Sequence, residues 1–275
     1  MTNADFVGRY GPWAIVAGAS EGLGVAYAHR LAERGVNLLL ISRNAELLDK
    51  LVIEVRATHG IEARALALDL TTPDAVSKII AATANLEIGL MVYNAGADSR
   101  VMDFLERPVA EAVRLTTLNI TTPITLAHHF VTAMKKRGKG GLILMSSFAS
   151  VVGTPGNAVY AASKAFSNVF AEGMWHEFGK FGVHVLGFII GIVRTPAMER
   201  MGLSFEGLSG VADPYDLVDE ALANIDKGPT LYASGLQDRV MRYRTLPRGE
   251  AVKEIAAFSD NVVANADKAT ANEKK

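Results

Sequence analysis

Ser147, Tyr160 and Lys164 fall within the stretch SSFASVVGTPGNAVYAASK, the tyrosine thirteen residues beyond the serine and the lysine four beyond the tyrosine. Residues i and i+4 of a helix share one face, so this spacing would set an ammonium about a turn from a phenol. A free phenol titrates near ~10, and a neighbouring cation lowers that value by stabilising the phenolate. Such a tyrosine can protonate a carbonyl oxygen during reduction or deprotonate an alcohol during oxidation. A serine at a preceding strand end can bond the same oxygen and stabilise its developing charge. The tyrosine–lysine spacing also recurs on ordinary helices. Ser146 competes with Ser147 for the serine role, and strand alternation lets only one of the two face a cleft.

The second group of chemistry-bearing residues is VAGASEGLG, where Gly18, Gly22 and Gly24 follow an apolar run and open a helical pattern. Glycine lets the backbone approach a pyrophosphate, whose charge the helix N-terminus stabilises. The loop residues Ser20, Glu21 and Leu23 belong to the same expected dinucleotide site, although Glu21 would not help to bind a phosphate. The spacing is GxxxGxG rather than GxGxxG. At the end of the second predicted strand stand Ser42 and Arg43, with no acidic residue to pair with a ribose diol. A guanidinium and a hydroxyl suit a 2′-phosphate, hence NADP(H) over NAD(H), unless Arg43 is an ordinary surface cation. Asp69, followed by Leu70, ends the third strand; it can accept from an adenine amino group or cap the helix starting near Pro73. Asn94, Ala95 and Gly96 follow the fourth strand and allow backbone contact with a cofactor sugar, while Asn94 can also hold the turn.

These residues need rigid elements to bring them together. Apolar runs at Trp13–Ala17, Val36–Ile41, Ala63–Leu68 and Ile88–Tyr93 alternate with helical patterns at 18–34, 45–58 and from Pro73 onward. This βαβαβαβ order predicts a Rossmann-like α/β fold: a doubly wound parallel sheet with helices on both faces. A longer helical region spans 108–137, broken near Asn119–Pro123. Strands at Gly141–Ser146, Val183–Ile190 and Thr230–Ser234 bring the count to about seven, with a helix over Val159–Phe178 between the first two. A single domain over 1–264 is expected, with a lid at about 196–215 and a polar tail at 265–275.

The 275 residues are 49% hydrophobic and 7% aromatic, with 25 glycines, which suits aliphatic parallel strands and tight βα turns. Net charge is -1, from 28 basic against 29 acidic residues, and this leaves no basic excess for a nucleic acid. The run Lys135–Gly140 reads as a solvated helix end. The absence of cysteine excludes disulfides and thiol catalysis. The six histidines form no metal-spaced cluster, so no metal is expected. No apolar stretch is long enough to span a bilayer, since Val183–Val193 is a strand-length run. A soluble, cytoplasmic protein is the default.

The motifs in this order resemble the short-chain dehydrogenase/reductase family from about residue 12 to 235: GASEGLG, Asp69, YNAG at 93–96, Asn119, Ser147, YAASK at 160–164 and IGIVRT at 190–195. The resemblance implies that Asn119 kinks a helix and holds a water linking Lys164 to solvent. It also implies that Lys164 bonds the nicotinamide ribose and that Thr195 and the backbone near Val193 hold the carboxamide. Arg43 matches the position associated with NADP preference, and a homodimer or homotetramer through helices around 111–137 and 159–178 is implied. Three departures stand out: Ala17 for a usual Thr, Tyr93 for the first Asn of NNAG, and Ile190 for a usual Pro. The phrases AYAHRLAERG and LISRNAELLDKL are similar to the hydroxysteroid and long-chain 3-ketoacyl reductase branch.

That branch reduces ketones on bulky apolar molecules, which implies a small-molecule apolar carbonyl or alcohol substrate such as a steroid or ketoacyl compound. Its wall is expected from Ala97, Asp98, Phe148, Val151 and Val152, with Met198, Met201, Leu203, Phe205 and Leu208 as lid or as core. Arg239, Arg242, Arg244 and Arg248 would hold an anionic group or form salt bridges. A lyase or epimerase on the same Tyr–Lys machinery, or a dinucleotide-responsive binding protein, is the alternative.

Overall fold

The computed structural model describes residues 1–96, 101–200, 205 and 210–259, apart from the side chains of Ala197 and Arg200. Strands β1 (Trp13–Ala17), β2 (Asn37–Ser42), β3 (Ala63–Ala67), β4 (Ile88–Tyr93), β5 (Gly140–Ser147), β6 (Val183–Ile190) and β7 (Thr230–Tyr232) form one sheet. Their order is β3-β2-β1-β4-β5-β6-β7, and every neighbouring pair is parallel. The helices are α1 (Asn3–Tyr10), α2 (Leu23–Glu33), α3 (Ala45–His59), α4 (Ala75–Ala82), α5 (Val109–Thr116), α6 (Thr122–Arg137), α7 (Ala158–Gly179), α8 (Pro196–Arg200), α9 (Pro214–Ala223) and α10 (Gln237–Thr245). Residues 248–259 are also helical.

The aliphatic strands explain the layering. Every residue of β1 and β4 is buried, because helices cover both faces of the sheet. Alternate residues point to opposite sides. Ala14, Val16, Leu38, Leu40, Leu90 and Val92 face a core shared with α2, α3 and α9. Ile15, Leu39, Ile41 and Met91 face the other, beneath α4 and α6. The chain leaves β1 toward β2 on one side, whereas β4 lies on the other. That reversal opens a crevice at the carboxyl ends of β1 and β4, where ligands bind in open α/β sheets.

The expected helical break at Asn119–Pro123 is a π-helical turn, Thr117–Thr121, between α5 and α6. Pro123 sits in the first turn of α6, where its missing N–H costs least. Two local expectations are corrected. Pro73 does not occupy the first helical turn, since α4 begins at Ala75 after Asp74. Asp69 does not cap that helix: its carboxylate accepts from the Thr71 amide (2.9 Å) and hydroxyl (2.7 Å), closing a local turn.

The N-terminal segment, to which the sequence pattern assigns no element, folds as α1. Thr2 and Asp5 form a reciprocal capping box there, and Phe6 and Tyr10 enter the core. The Tyr10 hydroxyl lies 2.6 Å from Nδ1 of His184 on β6. Ala97, Asp98, Met201, Leu203, Leu208 and the tail 265–275 lie outside the described residues.

Candidate active site

The glycine loop fits against the neighbouring strand end. A Cβ on Gly24 would run into the Gly18 carbonyl oxygen and come within 2.7 Å of the Ala19 Cα, so α2 can approach β1 this closely only with glycine there. Asn94 Nδ2 donates to the Gly18 carbonyl (2.8 Å), while the amides of Asn94 and Ala95 both donate to Ala17 O (3.0 and 2.8 Å). Asn94 therefore holds the turn. Gly22 lies against Thr195, whose methyl would sit 2.6 Å from an added Cβ. No side chain caps α2, which starts at Leu23, and its first turn carries no acidic residue. Ser20 and Glu21 are half-buried in the loop.

At the next strand, Ser42 is buried and its Oγ accepts from the Asn44 amide (3.2 Å). Arg43 is exposed and makes no hydrogen bond or ion pair with the described residues. Asp69 carries an ion pair with Arg114 of α5 (3.2 Å). Burial opposes its ionisation, but the Thr71 hydroxyl and amide and the Arg114 guanidinium outweigh that and hold its carboxyl below the usual range. Leu70 is buried and its carbonyl accepts from the Thr122 hydroxyl (2.8 Å), which ties this strand end to α6.

The end of β5 separates the two serines. Ser146 is buried and its Oγ donates to the Lys164 carbonyl (2.9 Å), whereas Ser147 is partly exposed and its Oγ accepts from the Ala149 amide (3.2 Å). Tyr160 and Lys164 lie a turn apart on α7, with Lys164 Nζ 5.8 Å from the Tyr160 ring centroid. Lys164 is only 5% exposed and donates to Met145 O (3.0 Å). Burial disfavours its charge and draws its pKa from 10.5 down to about 8.

Asn119 projects from the π-turn. Ser163 Oγ donates its proton to Tyr160 O (2.8 Å) and so must accept from Asn119 Nδ2 (2.8 Å). Nδ2 also reaches Gly96 O (3.4 Å). This fixes the amide orientation and leaves Oδ1 buried without a protein donor. Both Oδ1 and Lys164 Nζ approach Gly96: an added Cβ there would collide with the first and lie 3.0 Å from the second. Beside them is a cavity with about 10 Å³ of accessible space, lined in part by Tyr93, Asn119, Met145 and Lys164. That is room for about one water.

Val193 follows β6 and pairs with Ala212, and Thr195 receives the Met198 amide at its carbonyl (3.0 Å). The sequence reading missed Ser163, the Met145 carbonyl and a groove flanking Tyr160. That groove is lined by Met102, Phe104, Arg107, Asn157 and Val159 among others. The Met102 amide donates to Gly156 O (3.0 Å), joining the two sides. Phe148, Val151 and Val152 pack instead with α10 and the helix at 248–259.

The four C-terminal arginines are engaged internally. Arg239 stacks on Phe148 (4.4 Å) and Phe258 (5.1 Å), and Arg242 pairs doubly with Glu254. Arg244 donates to the Tyr232 hydroxyl, and Arg248 to the carbonyls of Tyr243 and Val151. Phe205 receives the Arg194 guanidinium (4.9 Å). Among the described residues no cluster of metal-binding side chains exists, and no helix is long and apolar enough to cross a membrane.

Known proteins match this arrangement. The family profile described as short chain dehydrogenase covers residues 12–203. A 7beta-hydroxysteroid dehydrogenase from Mediterraneibacter gnavus is 32% identical over 225 residues, 80% of this chain and 84% of that protein. Very-long-chain 3-oxoacyl-CoA reductase-A of Danio rerio is 31% identical over 211 residues, covering 73% and 66%. The solved structure of a short-chain dehydrogenase from Sphingobium yanoikuyae in complex with NADPH superposes with a TM-score of 0.75 at 28% identity, covering 84% and 92%.

Proposed function

This chain belongs to the short-chain dehydrogenase family, and on that premise we propose that it interconverts a ketone and a secondary alcohol on an apolar molecule with NADP(H). The observation that carries this reading is the buried Lys164 ammonium a turn from Tyr160 on α7, bonded to Met145 O near the end of β5, the strand that closes with Ser147. In reduction, Tyr160 gives its phenolic proton to the substrate oxygen and Ser147 donates a hydrogen bond to that same oxygen. Lys164 stabilises the phenolate left behind. Asn119 and Lys164 both line the small cavity, and Asn119 Oδ1 has no donor among the described residues, so a water there would connect the lysine to solvent.

The residues present fit the cofactor. The Gly18–Gly24 loop is cut back to backbone where α2 meets β1, and the uncapped α2 N-terminus suits a pyrophosphate. Ser20, Glu21, Gly22 and Leu23 would line it, with Ser42 and the exposed Arg43 at the 2′-phosphate. Asp69 and Leu70 would flank the adenine. Asn94, Ala95, Gly96, Tyr160 and Lys164 would lie along the ribose and nicotinamide, and Val193 and Thr195 at the carboxamide. When bound, this group supplies the hydride.

For the substrate, the hydroxysteroid and 3-oxoacyl-CoA relatives and the Met102–Phe104–Val159 side of the groove favour a steroid or ketoacyl compound. The test follows NADPH and NADH consumption across ketosteroids, 3-ketoacyl thioesters, quinones and small aldehydes. NADPH turnover with a bulky ketone is expected, with NADH poorer by tenfold or more, roughly the worth of one charge-assisted contact. Equal turnover with NADH would remove the role given to Arg43. Turnover confined to small aldehydes would remove the apolar substrate.

A further inference from the structure

The π-turn before α6 leaves a backbone carbonyl stranded. In an α-helix the Leu118 carbonyl would accept from the amide four residues on, and in a π-helix from the one five residues on. The first is Thr122, whose N–H donates to Thr117 O instead. The second is Pro123, which has no N–H. This carbonyl is only partly open to solvent, and leaving it without a donor is costly, so the turn takes one from outside the helix. The Tyr93 hydroxyl provides it, donating to Leu118 O at 2.6 Å. Tyr93 ends β4, is 4% exposed, and lines the same small cavity as Asn119 and Lys164.

We propose that Tyr93 is a positioning residue: its hydroxyl fastens the π-turn to the sheet and so aims the Asn119 side chain at Lys164. Leu118 and Asn119 are adjacent, so the anchor on one fixes the backbone that carries the other. The second anchor, from Asn119 Nδ2 to Ser163 Oγ, reaches α7. With both in place, Nδ2 is committed to Ser163 and Oδ1 is held beside Gly96, where Lys164 Nζ also approaches, without a donor among the described residues. Burial pushes the Tyr93 phenol well above its ordinary range, so it remains a donor throughout the working pH range. Among the described residues, the titratable groups near Lys164 are Tyr93, which lines the cavity with it, and Tyr160, whose ring centroid lies 5.8 Å from Nζ. This inference rests on the assignment of Tyr160 and Lys164 as the proton-transfer pair.

Tyr93→Phe removes only the hydroxyl. Relative to the wild type, its kcat for ketone reduction is expected to fall about tenfold, with the Kd for NADPH, read by fluorescence titration, within about twofold. The alkaline limb of its pH–kcat profile is expected to move to lower pH by about one unit, because Lys164 loses support for its charged form. Adding Pro123→Ala, which returns an N–H to the turn, is expected to recover most of both losses. A Tyr93→Phe enzyme with wild-type kcat and an unmoved limb overturns the proposal. So does a kcat loss with the limb unmoved. Should Tyr93→Phe alone not fold, the double variant carries the test: wild-type-like kcat and limb support the anchor, and a folded double variant that recovers neither overturns it. Tyr160→Phe run alongside separates the two readings, since full activity there removes the proton-transfer pair itself.

Discussion

At the scale of single residues, the site depends on one buried cation. Lys164 has a carbonyl, a cavity and a phenol around it and no carboxylate counter-ion among its described contacts. Burial therefore brings its pKa down to about 8, close to the range in which an enzyme works. The sign follows directly: below that value the ammonium is present and supports the Tyr160 phenolate, and above it the support is lost. The pH profile of kcat/KM for ketone reduction should fall as pH rises through about 8. The limb belongs to the Tyr160–Lys164 pair rather than to either alone. Lys164→Arg, whose guanidinium keeps its charge, should remove that limb while lowering the rate. A profile flat from pH 7 to 10 would contradict this account of the lysine.

At the scale of elements, the motifs were legible because each is a local pattern tied to a local geometry. The aliphatic runs set the strands, and the glycines set the turn into α2. The YxxxK spacing put Tyr160 and Lys164 on one helical face. The break before α6 was also visible, but its π character was not. It depends on where the Thr122 amide goes and on a tyrosine from β4, which no local window contains. The capping alternative at Asp69 fails for a related reason, since Asp-x-Thr turn chemistry and an ion pair from α5 take up its carboxylate. Helix α1 was missed because only Phe6 and Tyr10 of its eight residues are buried, and their burial depends on distant partners such as His184 on β6. The helices also bear on assembly. Val113 on α5, Ile124 on α6 and Val169 on α7 are 59%, 39% and 69% exposed, and such apolar residues on neighbouring helices suit contact with a second copy. Sedimentation is expected to give a dimer or tetramer that Val169→Asp weakens, whereas a wild-type monomer at micromolar concentration would contradict that use of the helices.

At the scale of the whole molecule, the parallel sheet positions the site, whose proposed residues come from the carboxyl edge of the sheet and from α7. The reversal of strand order between β1 and β4 puts the glycine loop beside Asn94–Gly96. The next strands outward, β5 and β6, deliver Ser147 and then Val193 and Thr195 to the same edge. The C-terminal helices pack on Phe148 directly after Ser147, so the outer layer braces the strand end that carries the serine. The most direct test of this account follows deuteride from NADPH deuterated at both C4 positions to a ketosteroid or 3-ketoacyl thioester, in the wild type and in Tyr160→Phe, with product analysed by mass spectrometry. The account predicts one deuterium on the new carbinol carbon in the wild type. It predicts a rate lower by about 10²–10⁴-fold in Tyr160→Phe, with NADPH binding retained. Product without deuterium, or a Tyr160→Phe enzyme as fast as the wild type, would contradict it.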